Sequence, residues 1–411
     1  MGKDQSEYTP FGSQTLSKQK ARFGSAWPGL AVRGRGPYLW TESSRKFIDW
    51  ICGLAACPLG YRHPAVEAAV LRQLKKGVSF SLPTRLEDKV AEMLCDFIPC
   101  AEAVRFVKTG SESVEASIRI ARMETGRDII AFCEDHYNGW HSLAMAGKPY
   151  HPGVPKAYES MIRLFKYNDP ISLVAALSPG DVAAVIMEPM TFIPPTDVFL
   201  RSLESVCHDK GTILIWDEMV TGARFPGGSA QKFYGVKPDL ACFGKGIANG
   251  WPLACVVGRK DLMRHAWAVS GTFGGEAVSL AAARAALTIH ANRRTQDALW
   301  RIGAAMTDGL EEQRSQYGLP VRIMGEPPRI QLKFDSPDAI RLMSLWLQVC
   351  SDNGVLFHPG GWTGSIAHQP EIVKESLRVT DMAFQSCANS LKTGDWSRLK
   401  EPLIEPIKLR G

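Results

Sequence analysis

The sequence of 411 residues lacks the features that mark several specialised classes of protein. It has no long run of lysine or arginine, and its formal net charge of +6 is spread over the whole chain, which argues against a nucleic-acid surface. No apolar stretch is long enough to cross a bilayer, and residues 1–20 contain no apolar signal-peptide region. The ten cysteines form no C-x-x-C pair, which argues against a zinc ribbon or a disulfide scaffold. We therefore expect a cytoplasmic protein without a metal, nucleic-acid or membrane partner.

The central part of the chain alternates short apolar runs with helical patterns, in a sequence of ordinary globular composition with 45% hydrophobic and 22% charged residues. This alternation is typical of an α/β domain with a mostly parallel sheet. Helices are predicted over residues 114–124 and 199–208, and the first of them stops at Gly126. The seven predicted strands are residues 104–108, 129–133, 162–165, 182–187, 212–216, 240–243 and 254–257.

The pattern changes on both sides of this region. Beyond residue 293 a long amphipathic helix, short strands and two further helices predict a smaller α+β unit. Near the start, residues 38–50 predict a hairpin around a polar turn. We therefore expect an N-terminal segment, residues 1–55, that packs with the small domain, a large domain of residues 56–310, and a C-terminal small domain of residues 311–411.

Two charged residues stand at the ends of apolar runs in the large domain. Asp217 follows the run 212–216, and Lys245, which has glycine on both sides, follows the run 240–243. Because ligands of parallel α/β sheets bind at the carboxyl ends of the strands, the carboxylate and the amine can face one crevice. The alternative is structural: Asp217 caps a helix, and Lys245 is a solvated loop residue.

Two more segments follow predicted strands in the same way. The turn Thr109-Gly110-Ser111-Glu112 leads into a helix, and free amides and hydroxyls at a helix N-terminus suit a phosphate. The same turn also fits a capping box of Thr109 with Glu112, which binds no ligand. Tyr137 follows the next strand, where its ring can stack on a flat ligand or pack in the core. Taken together, these groups suit a phosphorylated aromatic aldehyde that is held as a lysine Schiff base.

An ordered set of motifs, from about residue 38 to residue 384, resembles the class III aminotransferases, which are fold type I pyridoxal-phosphate enzymes. The resemblance is nearest to the glutamate-1-semialdehyde 2,1-aminomutase group. It implies a large domain with a mostly parallel seven-stranded sheet, a smaller α+β domain, pyridoxal 5'-phosphate as cofactor, and a homodimer with shared active sites. The motifs are Val104-Arg-Phe-Val-Lys-Thr-Gly-Ser-Glu-Ser, Thr125-Gly-Arg-Asp, Tyr137-Asn-Gly, Tyr167-Asn-Asp, Ala183-Ala-Val-Ile-Met-Glu-Pro, Asp217-Glu-Met-Val-Thr-Gly-Ala-Arg, Lys237-Pro-Asp-Leu and Gly244-Lys-Gly-Ile-Ala-Asn-Gly-Trp-Pro-Leu.

The resemblance also implies a role for each matching residue. Lys245 carries the cofactor as a Schiff base and moves the proton at the substrate α-carbon. Asp217 pairs with the protonated pyridine nitrogen, and Tyr137 stacks on the ring. The cofactor-binding residues that it implies are Gly110, Ser111, Tyr137, Glu188, Asp217, Lys245 and Thr272.

Three departures from the family pattern bear on the substrate. Asn138 stands where the family commonly has histidine, and Gly274-Gly275-Glu276 stands where the aminomutases usually read Gly-Asn-Pro. Arg378 lies in a helical pattern without the late arginine motif that holds a substrate carboxylate in many class III enzymes. The substrate-binding candidates are Arg33, Arg224, Asn138 and Glu276.

These features predict an aminotransferase that moves an amino group on a small amino-acid, keto or amino-sugar type substrate, between a small-molecule donor and acceptor. An intramolecular aminomutase of the glutamate-1-semialdehyde type is the alternative, since it shares the same machinery. A pyridoxal-phosphate decarboxylase or racemase is a further alternative, because substrate orientation selects the bond that breaks. A non-catalytic scaffold needs neither the lysine nor the carboxylate, so their presence argues against it.

Overall fold

The structure, a computed structural model, describes residues 8–149, 151–292 and 294–406. The chain divides into two compact units: a small unit of the residues before Pro64 and from Ala298 onward, and a large unit of residues Pro64–Asp297. The predicted limits of the large domain are residues 56 and 310. The first difference has a local cause, because Gly36 and Tyr61 exchange two backbone hydrogen bonds of 2.9 Å that keep the segment before Pro64 with the N-terminal strands.

The helices and strands alternate through most of the chain. The strands are β1 Ala31–Arg35, β2 Tyr38–Thr41, β3 Lys46–Asp49, β4 Ala103–Val107, β5 Ile129–Cys133, β6 Ile162–Phe165, β7 Val182–Met187, β8 Ile213–Asp217, β9 Leu240–Phe243, β10 Ala254–Gly258, β11 Val321–Met324, β12 Gln331–Phe334 and β13 Val355–Leu356. The α-helices are α1 Cys52–Ala55, α2 Pro64–Leu74, α3 Arg85–Phe97, α4 Gly110–Thr125, α5 Ser142–Ala146, α6 Pro170–Leu177, α7 Asp197–Lys210, α8 Ala230–Tyr234, α9 Lys260–Met263, α10 Ala277–His290, α11 Arg294–Tyr317, α12 Ala339–Asp352 and α13 Pro370–Thr393.

The large unit is built on one seven-stranded sheet in the order β4-β10-β9-β8-β7-β5-β6. Strands β9, β8, β7, β5 and β6 are parallel, and β10 is antiparallel to both β9 and β4. Strand β4 therefore points in the same direction as the parallel strands. The predicted α/β fold with a mostly parallel seven-stranded sheet is confirmed. Strands β5, β6, β7 and β9 have the predicted bounds, whereas β4 and β8 are shifted by one residue at both ends and β10 ends one residue later.

The centre of this sheet is covered on both faces. Every residue of β7 is buried, which is typical of a central strand in a parallel sheet. Helix α4 begins four residues before the predicted apolar pattern, because Thr109 and Glu112 form a capping box in front of it. It ends at Gly126, whose φ of +66° provides the left-handed C-cap. Arg127 then donates a hydrogen bond of 3.0 Å to the carbonyl of Val182, which joins the end of α4 to the start of β7.

The small unit is an α+β structure with a four-stranded sheet in the order β1-β2-β3-β13. Strands β2 and β3 form the predicted antiparallel hairpin, and β13 pairs in parallel with β3. An aromatic cluster fills its core: the ring centroids of Trp346 and Phe357 are 4.8 Å apart, and those of Trp346 and Trp362 are 5.8 Å apart. The indole of Trp50 donates a hydrogen bond of 2.9 Å to Ser376 on α13.

Three features of the described residues concern the classes of site considered above. None of their helices has the length and the apolar character that crossing a membrane requires. Their histidine, cysteine and acidic side chains form no group of three or more that is placed to hold a metal ion. All ten cysteines are free thiols, and all except Cys95 are buried.

Candidate active site

Five predicted site residues lie where the chain leaves strands of the large unit. Gly110 and Tyr137 follow β4 and β5, Glu188 and Lys245 follow β7 and β9, and Asp217 is the last residue of β8. These strands all run in one direction, so the five residues lie along the carboxyl edge of one sheet. The sequence pattern predicted this common edge, and the contacts described below occur there.

Asp217 is a buried carboxylate that is held by two donors. Its Oδ2 accepts a hydrogen bond of 3.0 Å from Nδ2 of Asn138, and its Oδ1 accepts one of 3.1 Å from the amide of Met219. Burial, followed by the charge of Glu188, raises the pKa of Asp217 to about 6, although Asn138, Met219 and Lys245 act in the opposite direction. Residues 218–225 form turns rather than a helix, so Asp217 is not the cap of a following helix.

Asn138 has a contact that the sequence did not predict. Its side chain is 2% exposed, and its amide is directed at Asp217 on a strand 79 residues away in the chain. A neutral amide thus stands at the position where the family commonly has an imidazole. The contact of Asn138 with a substrate stays a prediction.

Glu188 connects the loops that follow β5 and β7. Its Oε1 accepts a hydrogen bond of 3.1 Å from the amide of Tyr137, and its own amide donates one of 3.0 Å to Nδ1 of His136. Both Glu188 and His136 are buried, whereas Tyr137 is 41% exposed, so its ring remains accessible at the sheet edge. The hydroxyl of Tyr167 donates a hydrogen bond of 2.9 Å to the carbonyl of Pro189 and supports the same loop. Sequence reasoning missed His136, although it directly precedes Tyr137.

The turn before α4 combines a cap with two available donors. The Glu112 amide donates a hydrogen bond of 3.2 Å to the Thr109 hydroxyl, and Oε2 of Glu112 accepts one of 2.8 Å from the Thr109 amide. Within the described part of the chain, the amides of Gly110 and Ser111 have no hydrogen-bond partner. The capping box therefore leaves two donors at the N-terminus of a 16-residue helix, which is where an anion binds favourably.

The loop after β5 lies directly against this turn. The Ser111 hydroxyl accepts a hydrogen bond of 3.1 Å from the amide of Trp140. Gly139 has a φ of +98°, and a Cβ added to it would lie 2.7 Å from the Ser111 hydroxyl oxygen. Only glycine therefore permits this approach of the two loops.

Lys245 lies in a packed turn and not in a solvated loop. Its backbone is left-handed, with a φ of +47°, and its side chain is half-buried. A Cβ on Gly244 would lie 2.7 Å from the sulfur of Met219, so the turn packs closely against this side chain. On the other side, Nε2 of His290 forms a hydrogen bond of 3.1 Å with the carbonyl of Gly246. The backbone that carries the lysine is fixed on both sides.

The turn 270–275, between β10 and α10, contains Thr272. This residue is exposed and forms no hydrogen bond with another described residue, so its contact with a partner's phosphate stays a prediction. Glu276 is the N-cap of α10, where its Oε1 accepts a hydrogen bond of 2.7 Å from the amide of Val278. Its Oε2 lies 2.8 Å from Nζ of Lys108. Glu276 is therefore a helix cap and an ion-pair partner.

The two predicted arginines have different surroundings. Arg33 lies on β1 of the small unit, where it is exposed and its guanidinium lies 4.0 Å from the ring centroid of Trp40. Arg224 lies in the large unit, where it is fully buried and donates a hydrogen bond of 3.1 Å to the carbonyl of Val220. Substrate binding by either residue stays a prediction.

The arrangement fits a pyridoxal-phosphate group in its charge pattern. Asp217 is a buried carboxylate whose pKa is raised mainly by burial, and a protonated pyridine would place a cation beside it. The free amides at the start of α4 suit a phosphate. The backbones of Gly110 and Gly244 both lie close to Met219, since a Cβ on either glycine would come within 3.0 Å of its sulfur.

Comparisons with known proteins concern the family and the fold. A family model described as class-III aminotransferase matches residues 23–390. The PLP internal aldimine form of the FumI protein from a Sphingopyxis strain has a TM-score of 0.88 and 28% identity, covering 93% of this chain and 94% of that chain. An omega-transaminase from Sphaerobacter thermophilus has a TM-score of 0.87 and 24% identity, covering 92% and 95%. A glutamate-1-semialdehyde-aminomutase from Pseudomonas aeruginosa has a TM-score of 0.81 and 24% identity, covering 92% of each chain. At 24% identity, the last two structures show that this chain shares their fold.

Proposed function

The chain belongs to the class III aminotransferases and is a pyridoxal-phosphate-dependent enzyme, and from this premise we propose that it transfers an amino group on a small amino-acid, keto or amino-sugar type substrate. One observation carries the proposal. The buried carboxylate of Asp217, held by Asn138, lies on the same sheet edge as Lys245 and the open N-terminus of α4. An aminotransferase needs these three functions together: a ring anchor, an amine and a phosphate site.

The catalytic roles that we propose follow from the surroundings of each side chain. Pyridoxal 5'-phosphate supplies an aldehyde that condenses with amines and a pyridine ring that withdraws electrons. Lys245 would hold the cofactor through its amine and would move the proton at the substrate α-carbon. Its rigid turn supports this role, because a positioned base loses little freedom during the reaction. Asp217 keeps a proton on the ring nitrogen through a charge-assisted hydrogen bond.

The remaining cofactor contacts are proposed from the same sheet edge. The amides of Gly110 and the amide and hydroxyl of Ser111 hold the phosphate, and the accessible ring of Tyr137 stacks on the pyridine. Glu188 fixes the Tyr137 loop and supports substrate binding. We also propose a cytoplasmic homodimer in which Thr272 reaches the phosphate of the partner subunit.

Substrate recognition is proposed for Arg33, Arg224, Asn138 and Glu276. Two of these side chains already have defined partners, since Asn138 bonds to Asp217 and Glu276 pairs with Lys108. In this proposal each of the two side chains keeps its bond to the protein and also contacts the substrate. Arg224 is fully buried, which suits a substrate carboxylate that is itself removed from water.

A screen of amino donors tests the proposal. Added to the cofactor-loaded enzyme, a true donor converts the aldehyde form of the cofactor to its amine form, which is followed by absorbance. A subsequent acceptor must restore the aldehyde form. An isomerised substrate without net transfer identifies an intramolecular aminomutase. Released carbon dioxide identifies a decarboxylase, and a racemised donor identifies a racemase. If no amine changes the absorbance of the cofactor, the proposal is wrong.

Covalent labelling tests the role of Lys245. Borohydride reduction of the loaded enzyme fixes the cofactor to the chain, and peptide mapping must then find it on Lys245. The matched control is Lys245→Ala, which retains the phosphate and ring contacts and binds cofactor without a covalent product. A label on another lysine contradicts the assignment.

A further inference from the structure

The turn 270–275 is attached at three successive points to β4 and to Lys108, the residue that follows this strand. Before the turn, the guanidinium of Arg105 donates a hydrogen bond of 2.8 Å from Nε to the carbonyl of Val269. Within the turn, a Cβ added to Gly274 would lie 2.7 Å from the carbonyl oxygen of Phe106, so the two backbones are in close contact. After the turn, Lys108 pairs with Glu276.

The pair of Lys108 and Glu276 is better shielded than an ordinary surface ion pair. Its side chains are 18% and 10% exposed, whereas those of Arg163 and Asp181 at the other edge of the sheet are 25% and 46% exposed. Burial opposes ionisation of Glu276, but the hydrogen bonds from Lys108 and Ser279 outweigh it and lower the pKa of this carboxyl.

Lys108 connects this turn with the turn before α4. Its side chain holds the N-cap of α10, and its backbone amide donates a hydrogen bond of 2.9 Å to Oε2 of Glu112 in the capping box of α4. One residue therefore fixes the starts of two helices. One of these starts provides the free amides of Gly110 and Ser111, and the other follows the turn with Thr272.

We propose that Arg105, Lys108 and Glu276 are positioning residues that clamp the turn 270–275 on β4 and so set Thr272 for the cofactor phosphate. The inference rests on the proposed function, since it assumes that Thr272 acts on a phosphate. It holds whether that phosphate lies in the same subunit or in the partner. The clamp acts through the turn, and this role is separate from the substrate contact proposed above for Glu276.

The clamp predicts a specific loss of phosphate recognition. Without the ion pair the turn is held by fewer contacts, and the hydroxyl of Thr272 spends less time in place. The expected result is a roughly tenfold weaker Kd for pyridoxal 5'-phosphate, with the Kd for pyridoxal, which has no phosphate, changed less than twofold. A general weakening of the fold changes both constants equally.

The test compares Lys108→Met, Glu276→Gln and the double variant. Lys108→Arg is the conservative variant that should keep the ion pair. Arg163→Met is the control, because it removes an unrelated ion pair. Glu276→Gln retains Oε1, which caps α10. Binding of pyridoxal 5'-phosphate and of pyridoxal to each apoprotein is measured by absorbance, together with the unfolding midpoint. We expect the phosphate-specific loss in both single variants, no further loss in the double variant, near-normal values for Lys108→Arg, and no selective effect of Arg163→Met.

Two outcomes overturn the clamp. If the affinities for pyridoxal 5'-phosphate and for pyridoxal fall equally, the ion pair of Lys108 and Glu276 stabilises the fold without positioning Thr272. Tighter binding of pyridoxal 5'-phosphate by Glu276→Gln shows that Lys108, once released, is itself a phosphate ligand. Failure of the proposed function is seen separately, because the unmodified protein then gives no borohydride product at Lys245. Where Lys108→Met fails to fold, Glu276→Gln and Arg105→Gln carry the same comparison.

Discussion

Asn138 affects how readily Asp217, the proposed anchor of the cofactor ring, holds its negative charge. It gives Asp217 a neutral donor, and the hydrogen bond lowers the pKa of the carboxyl, against the larger effect of burial. Donors to charged groups contribute more than neutral pairs, on the order of 1.5 to 3 kcal/mol. We therefore expect Asn138 to affect turnover through its hydrogen bond to Asp217, without contacting the atoms that react.

We expect Asn138→Leu, which keeps the approximate size and removes the donor, to lower kcat by roughly one to two powers of ten. Asn138→His supplies a donor again and should recover most of the loss. The measurement is kcat together with the pH dependence of cofactor absorbance. Equal effects of the two substitutions contradict a role through the hydrogen bond.

Asp217 also predicts a pH dependence of the apoprotein. Its pKa is raised from 3.8 to about 6 in the fold, so the protonated form is favoured there. Its contribution to stability is present below pH 3.8 and is lost as the pH rises through about 6. Asp217→Asn removes this dependence, so the variant apoprotein should match or exceed the wild type in stability above pH 6 and lose that advantage towards pH 4, while its turnover falls steeply.

Denaturant unfolding of both apoproteins between pH 4 and pH 8 measures this difference. Glu218 titrates in the same range, because burial raises its pKa to about 7, and the charge of Asp217 also raises this pKa, so its contribution is fitted separately in each protein. A variant that unfolds at every pH assigns Asp217 a structural role.

At the scale of elements, two glycines with similar backbones provide a matched comparison. Gly139 and Gly126 have φ values of +98° and +66°, but a Cβ on Gly139 meets Ser111 at 2.7 Å, whereas Gly126 has nothing within 4 Å. Both alanine variants carry backbone strain of about 1 kcal/mol. Only Gly139→Ala should also displace the loop after β5 from α4 and weaken cofactor binding, by at least tenfold. Cofactor Kd and unfolding midpoints of both variants test this, and equal Kd values contradict it.

The strands were predicted more closely than the contacts between them. Apolar runs bounded by turns define β5, β7 and β9 to the residue, because burial on both faces excludes polar side chains. The edge strand β6, which contains Arg163, also has its predicted bounds. The start of α4 was missed because its apolar pattern begins at Val114, whereas the backbone is already fixed by Thr109. The bonds of Asn138 to Asp217 and of Lys108 to Glu276 join segments 79 and 168 residues apart, and a single sequence carries no distance between such segments. The motifs predicted the site residues, but they did not show that Asn138 and Glu276 bond to protein groups.

At the scale of the whole molecule, the proposed homodimer predicts complementation between two impaired chains. Thr272 is exposed, as are the neighbouring apolar side chains of Phe273 and Trp267, at 57% and 74%. Inactive Lys245→Ala subunits are mixed with weak-binding Thr272→Ala subunits at limiting cofactor. If Thr272 acts on the partner's phosphate, each mixed dimer contains one complete site, and activity rises above both parents. No rise after proven subunit exchange contradicts the shared site.

Lys245 also affects the stability of the whole chain. Its φ of +47° lies in a region that costs a side-chain-bearing residue about 1 kcal/mol relative to glycine. We therefore expect the apoprotein of Lys245→Gly to be more stable than that of Lys245→Ala by about this amount, as measured by denaturant unfolding. Equal stabilities contradict the strain.

In the proposed reaction this strain has a functional counterpart. A lysine stands in a backbone conformation suited to glycine, so the chain is less stable by about 1 kcal/mol at this position while it retains the amine that the proposed Schiff base needs.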